Sequence, residues 1–407
     1  MDIMLKNVRT QDDAPLKDVA LQSGKIAAAG YGLQMEAARV IDAAGRVLIP
    51  GVIESHLHLD KALIADRKLN RSGTLQEAIA VTAELKPTFT KEDVLERAEK
   101  TLRIAIQNGV THMRTHSEFD PAGGFTGYEV ILGLKEKYKD IIDLQVVAFP
   151  QEGIMKAPGT EAMMHEAMQM GADVVGGIPY NDFSAEEHID LVFEIAKKYQ
   201  KPIDFHQDFK DDAEGTSIEY LCRKTIAEGY QGRVSVGHLT SLGAFPPDKL
   251  QPILELLAEA GISVMCLPAT DLHLGGRKDK YNVRRTLTPV RALQSAGVNV
   301  CLGSNNIRNA FTPYGNGDLF QIAMLAIPTA HLGGADDLPG VLPMITGNCA
   351  RALGLQNYGL ESGMNADMVL LDTYKVRDAV IDLPDKLFVI KKGKIVAETT
   401  RTVKLNF

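Results

Sequence analysis

Eight short apolar runs recur through the middle of this chain, and no other feature limits its fold so tightly. They are Leu48–His58, Thr111–His116, Leu144–Phe149, Asp173–Ile178, Ile203–Asp208, Val234–His238, Ser263–Leu267 and Asn299–Gly303. Amphipathic stretches lie between or after them, among them Lys91–Asn108, Ala185–Lys198, Ser217–Gly229, Lys249–Ala260 and Pro289–Ala296. Several end in the Gly or Lys expected of a helix C-terminus. Continuous apolar runs suit the strands of a parallel sheet, whose two faces are both covered by crossover helices. Eight such alternations within roughly 250–300 residues are the arithmetic of a (β/α)8, or TIM, barrel, an α/β fold. A doubly wound open sheet also alternates, but no glycine-rich phosphate loop follows the first run, which favours closure. Gly275-Gly276 and Gly333-Gly334 read as turns, since neither opens a helix after a strand with a following Lys-Ser/Thr.

The two ends of the chain read differently. Ile3 to Val8, Asp18 to Leu21 turning at Ser23-Gly24-Lys25 into Ile26, and Arg39–Asp42 with Arg46–Ile49 across Ala44-Gly45 read as β-hairpins. The C-terminal end repeats the style, with Met368–Asp372 and then Leu387–Ile390 turning at Lys392-Gly393-Lys394 into Ile395–Glu398. Residues 1–50 and 351–407 are therefore expected to form one small sheet domain beside a barrel over residues 51–350.

Composition narrows the partners. The chain of 407 residues carries 44 Lys and Arg against 52 Asp and Glu, a net charge of −8, and has no basic run. That balance argues against nucleic acid or an anionic membrane and leaves a small molecule as the expected partner. Cys222, Cys266, Cys301 and Cys349 form no CxxC and are expected to be free thiols in a reducing compartment. With no signal-like N-terminus and no 18-residue apolar run, the expected location is cytoplasmic. A homo-oligomer is expected.

Barrel active sites form at the C-terminal ends of the strands, so polar residues that interrupt a run near its end are the informative ones. The first run ends His56-Leu57-His58-Leu59-Asp60-Lys61. A strand period of two places His56, His58 and Asp60 on one face, where two imidazoles can chelate a divalent ion such as Zn or Fe. The fifth run ends His206-Gln207-Asp208, the sixth at His238, and the eighth continues into Ser304-Asn305-Asn306. Histidines on runs one, five and six of one barrel make a joint signal that a lone histidine does not. Arg114-Thr115-His116 adds a cation and another His, and Phe149-Pro150-Gln151-Glu152 offers an amide for a substrate.

Other residues read as structural. His165, His188 and His331 are expected at the surface, and His112 opens its strand far from the rim. Met163, Met164, Met168 and Met170 read as core filling along one helix. Arg284-Arg285 with Lys278 and Lys280 reads as a basic loop near the barrel mouth. Glu118 and Asp120 either orient a ligand histidine or belong to an exposed loop.

Taken with Gly171-Ala172-Asp173-Val174-Val175-Gly176, His273-Leu274-Gly275-Gly276-Arg277, Asn306-Ile307-Arg308 and Tyr314-Gly315-Asn316-Gly317-Asp318, these motifs resemble the amidohydrolase superfamily. The resemblance spans essentially the whole chain and points to the branch of bacterial cytosine deaminase and N-isopropylammelide isopropylamidohydrolase. It implies a distorted barrel with a small β-sandwich from both termini, and one divalent metal ion, Zn or Fe with Mn also admissible, at His56, His58, His206 and Asn305. It further implies hydrolysis of a non-peptide C–N bond in a small nitrogen heterocycle by metal-activated water, with His238 orienting the attacking oxygen and Lys61, Gln151, Phe209 and Asn306 at the substrate. The fourth run has no Lys for a two-metal site.

Two positions depart from that pattern. Asn305 stands where the superfamily carries a carboxylate that ligates the metal and accepts a proton, and an amide has no useful basicity. Phe209 stands where cytosine deaminase carries a Glu. Either another acid substitutes, with Asp208 and Asp60 the leading candidates, or the chain is a catalytically silent homologue that binds a small ligand.

Overall fold

The computed structural model describes residues 1–406, and the strands of those residues fall into three sheets. Strands β1 (Ile3–Val8), β2 (Lys17–Gln22), β3 (Lys25–Gly30) and β4 (Arg39–Asp42) form the first, in the order β3-β2-β1-β4. The next strand, β5 (Val47–Pro50), leaves that sheet. Thus Arg39–Ile49 is not a hairpin as expected: β4 lies parallel to β1, whereas β5 pairs antiparallel with a strand from the far end of the chain.

The run Leu48–His58 likewise divides in two. Proline at position 50 ends β5, and after Gly51 the chain re-enters as β6 (Val52–Leu57), the first barrel strand. Glycine is required at the break, because a Cβ there would stand 2.1 Å from Thr111 Oγ1. Seven further strands follow: β7 (Val110–Glu118), β8 (Asp143–Phe149), β9 (Val174–Gly177), β10 (Ile203–Gln207), β11 (Val234–His238), β12 (Ser263–Cys266) and β13 (Val300–Leu302). They pair in parallel in chain order, from β6 to β13. The eight expected runs supply these strands, and the fold is the expected (β/α)8 barrel.

Closure comes just beyond β13. Asn305 bridges to Leu57, its N–H donates to the His56 carbonyl at 2.8 Å, and its own carbonyl accepts from the His58 N–H at 3.0 Å. Glu54 reinforces the seam by accepting from the backbone N–H groups of His56 and Ser304, both at 3.1 Å.

The crossover helices bury one face each. In the helix Ala185–Tyr199, capped by Ser184, the residues Ile189, Val192, Phe193 and Ala196 are buried at helical spacing. Each large side chain so buried contributes about 1.5–3 kcal/mol. Met164 and Met168 fill the core under the helix Thr160–Met170, as the spacing predicts.

The chain ends with β14 (Met368–Leu371), β15 (Lys386–Lys391) and β16 (Lys394–Glu398), which join β5 in the order β16-β15-β14-β5. Leu5, Val19, Leu21 and Ile26 from one outer sheet share a core with Leu48, Met368, Leu370 and Ile390 from the other, making a sandwich from both termini. Fully buried Lys391 joins the sandwich to the base of the barrel. Its ammonium donates to Asp143 at 2.7 Å, Asp367 at 2.9 Å and His112 Nε2 at 3.2 Å. His112 is thus far from the C-terminal rim.

One histidine departs from expectation. His188 is buried, accepting from the Ile178 N–H at 2.9 Å and pairing with Asp182 at 2.8 Å, because it opens a helix on the face turned to the barrel. His165 is half-buried and His331 exposed. All four cysteines are buried free thiols, and no helix of the described residues is long and apolar enough to cross a membrane.

Candidate active site

His56 and His58 reach the same point from β6 and the residue after it. Nε2 of His206, on β10, lies 3.2 Å from Nε2 of His56 and 3.0 Å from Nε2 of His58. A tetrahedral ion with metal–nitrogen bonds of about 2.0–2.1 Å would hold its nitrogens roughly 3.4 Å apart, close to this spacing. The Nδ1 atoms of all three rings are buried without partners. Burial, reinforced by neighbouring imidazoles and by Lys61 or Arg114, holds the three rings well below the ordinary imidazole range. They are therefore neutral, the form in which a histidine ligates a metal. The donor set and its convergence fit one divalent ion.

Beneath the cluster, the barrel interior is polar. Asp204 accepts from Arg114 at 2.7 Å and contacts His116 Nε2 at 3.1 Å, and His116 lies against His56 with ring centroids 4.0 Å apart. His116 therefore backs the cluster while its Nε2 is committed to Asp204.

Asp60 does not share the face of His56 and His58. The strand ends at Leu57, so the period of two lapses, and the Asp60 carboxylate turns to accept from the N–H groups of Lys61 at 2.9 Å and Glu118 at 2.8 Å. Lys61, in contrast, enters the site. Its ammonium pairs with Glu118, donates to Gln151 Oε1 at 3.1 Å and sits 4.5 Å over the Phe311 ring. Because Lys61 holds Gln151 by its carbonyl oxygen, the amide NH2 is the group left to donate to a ligand. Glu118 and Asp120 are buried rather than parts of an exposed loop. Both pair with Lys86 at the end of the helix Leu75–Leu85, at 3.0 and 2.7 Å, and Glu152 joins them at 3.1 Å. Burial alone would raise Glu118, but Lys61 and Lys86 together hold its carboxyl low.

Asp208 also turns away. It takes a left-handed φ of 42° just past β10 and caps the helix Ile218–Ala227, accepting from the N–H groups of Ser217 and Ile218 at 3.1 Å each. A carboxylate at a helix N-terminus is well placed for stability and badly placed for reaction. Neither proposed substitute acid therefore faces the cluster. Phe209, the next residue, stacks on His238 with centroids 4.3 Å apart and planes 8° from parallel. His238 Nε2 lies 3.5 Å from the Asn305 amide nitrogen, while Asn305 Oδ1 has no partner. Asn306 Oδ1 accepts from Asn309 at 2.7 Å.

These groups line one small cavity. His58, His206, His238 and Asn305 form its polar end, and Lys61, Gln151, Phe209 and Asn306 line the rest. Leu75 and Ile79, Tyr180 and Phe311 complete the walls, and sequence reasoning missed all four. They come from loops and a rim helix, where no strand period marks them. It also missed Asp271, whose carboxylate meets His238 Nδ1 at 2.6 Å. A carboxylate shortly after the seventh run was the available signal. A wider basin that shares Leu75 and Phe209 with the cavity is lined by Arg277, Lys278 and Arg284, which places the basic loop at the mouth.

A parallel barrel whose strand ends bring buried, neutral imidazoles together beside a cavity has the architecture of the metal-dependent barrel hydrolases. The chain belongs to the amidohydrolase family, whose sequence model matches residues 39–397. It is 30% identical over 406 residues to N-isopropylammelide isopropyl amidohydrolase of Pseudomonas sp. (strain ADP), covering 98% of this chain and 97% of that one. Pterin deaminase of Rhizobium rhizogenes is 27% identical over 350 residues, or 85% of this chain and 80% of the relative. The crystal structure of 5-methylcytosine deaminase from Klebsiella pneumoniae liganded with 5-fluorocytosine superposes with a TM-score of 0.94 at 34% identity, covering 99% of both chains. The chain is accordingly an enzyme that hydrolyses C–N bonds.

Proposed function

We propose that the chain binds one divalent ion, Zn or Fe with Mn also suited, through His56, His58, His206 and Asn305, and removes an amino or alkylamino group from a small nitrogen heterocycle. The convergence of three neutral Nε2 atoms, two of them on rings that line the cavity, carries this reading. Bound there, the ion would supply the Lewis acidity that makes water a nucleophile near neutral pH. The chain's own residues do the rest. Gln151 and Asn306 offer amide groups to ring nitrogens and carbonyls, Lys61 offers a cation held by Glu118, and Phe209 and Phe311 exclude bulk water. The rings named in its relatives, ammelide, pterin and 5-methylcytosine, support a planar heterocyclic substrate.

The same proposal divides the chain into a barrel over residues 51–350 and a sandwich from 1–50 and 351–407, supported by the pairing of β5 with β14. It also holds the protein to be a cytoplasmic homo-oligomer. The four buried free thiols support the location.

A second reading, a catalytically weakened homologue that chiefly binds a small ligand, is favoured by the neutral Asn305. Metal analysis of protein purified without chelators, followed by ammonia and amine release from cytosine, 5-methylcytosine, N-isopropylammelide and pterin with metal added, separates the two. The hydrolase reading expects near-stoichiometric metal and release from at least one ring. Metal near zero that added Zn, Fe or Mn cannot restore would sink it.

The ligand set has a test of its own at Gly237. A methyl group there would stand 2.6 Å from His56 Cε1 and 2.9 Å from its Nδ1, so the ring would have to move. Gly237→Ala is expected to weaken metal binding about 10–100-fold, the scale seen when a ligand's supporting contacts are lost. Competition with a chromogenic chelator measures it, and unchanged affinity would remove His56 from the ligand set.

A further inference from the structure

No carboxylate lines the cavity among the described residues. Asn305 is neutral, Phe209 is apolar, and Asp60 and Asp208 are committed to backbone N–H groups. Behind the cavity's polar end, one carboxylate meets a lining imidazole at hydrogen-bond distance. Asp271, fully buried in the short helix Pro268–Leu274 after β12, meets His238 Nδ1 through Oδ1 at 2.6 Å, and its Oδ2 has no partner. His238 is gripped elsewhere too. Phe209 lies flat on its ring, and Thr288 Oγ1 donates to its carbonyl, which follows a left-handed φ of 70°. The ring therefore keeps one orientation, with Nε2 at the cavity beside Asn305.

We propose that Asp271 is a positioning residue: it keeps the proton of His238 on Nδ1, so that the Nε2 lone pair faces the cavity and His238 becomes the proton acceptor that Asn305 cannot be. An ionised carboxylate only accepts hydrogen bonds, so the nitrogen it meets is the one that carries the proton. The same arrangement of carboxylate, imidazole and reacting oxygen fixes the tautomer of a general base in serine hydrolases. The assignment rests on the hydrolytic reading above. In that reaction a water gives one proton to His238 Nε2 as its oxygen bonds to the ring carbon. The C–N bond then breaks, and the departing nitrogen takes the same proton, leaving ammonia or an amine. The water's second hydrogen stays on oxygen as a ring hydroxyl, the lactim tautomer of the product.

Two measurements test it, one of them independent of substrate. In metal-free protein labelled with 15N-histidine, His238 is expected to show Nδ1 protonated and Nε2 bare, and Asp271→Asn, whose amide can also donate, is expected to mix or reverse the tautomers. With metal restored and cytosine and N-isopropylammelide as probes, Asp271→Asn is expected to lower kcat on the order of 10³–10⁴-fold. KM and metal content should stay within about threefold, and Asp271→Glu should recover part of the loss. A wild-type His238 protonated on Nε2, or an Asp271→Asn enzyme within tenfold of wild-type kcat, would overturn the proposal. If wild type turns over none of cytosine, 5-methylcytosine, N-isopropylammelide and pterin, the hydrolytic reading fails instead, while the tautomer measurement still decides the role of Asp271.

Discussion

Replacing His206 by alanine is expected to remove metal and turnover together and leave the barrel standing. His206 is the shared neighbour of the cluster, with its Nε2 within 3.2 Å of both other imidazole nitrogens, so its loss leaves two histidines and a neutral amide. That is fewer strong donors than the three protein ligands of an ordinary catalytic zinc site. Affinity should fall by more than the roughly 10–100-fold typical of losing a supporting contact. The fold is protected because the ring is not what holds β10 in place. Its backbone pairs with β9 and β11, and Phe149, stacked on His206 at 4.2 Å, remains to wall the space. Metal content, ammonia release and circular dichroism together check the expectation. A His206→Ala protein with stoichiometric metal would show that the ligand set is wrong.

Asn305→Asp is expected to act in the opposite direction and to separate two roles that one carboxylate can combine. The backbone accepts the change readily, since Asn and Asp both tolerate the left-handed φ of 58° found there. An anion beside the cluster attracts a cation by about 4 kcal/mol per unit charge at 4 Å and an effective dielectric constant of 20, partly offset by its own desolvation. Metal affinity should rise on the order of 10²–10³-fold. Turnover per bound ion should rise less than about tenfold, because His238, backed by Asp271, already supplies a proton acceptor. Calorimetric or chelator titration beside steady-state rates measures both. Unchanged affinity would show that Asn305 does not face the ion.

What the sequence made legible follows from where periodicity holds. The eight apolar runs are the eight barrel strands, and His56, His58, His206 and His238 lie where strand ends and spacing put them. Extrapolation beyond a strand is where the reading broke down. A period of two puts Asp60 inward and the end of the fifth run offers Asp208 as an acid, but β6 ends at Leu57 and β10 at Gln207, and both carboxylates turn to backbone donors. Leu48–His58 looked continuous because one apolar run serves two sheets, and only Pro50-Gly51 marks the division. Asp271, Tyr180 and Phe311 reach the site from loops and short helices whose paths no local pattern encodes.

The seam between β6 and β13 has a consequence for when the site comes into being. His56 and His58 leave the ribosome early, yet Asn305, which bonds to both of their backbones, is made after seven more strands. A nascent chain that has yet to reach Asn305 has neither a closed barrel nor the whole of the proposed ligand set. On the proposed ligand set, metal loading would wait for Asn305, and a bound ion would tie the first barrel strand, β6, to the segment that follows the last, β13.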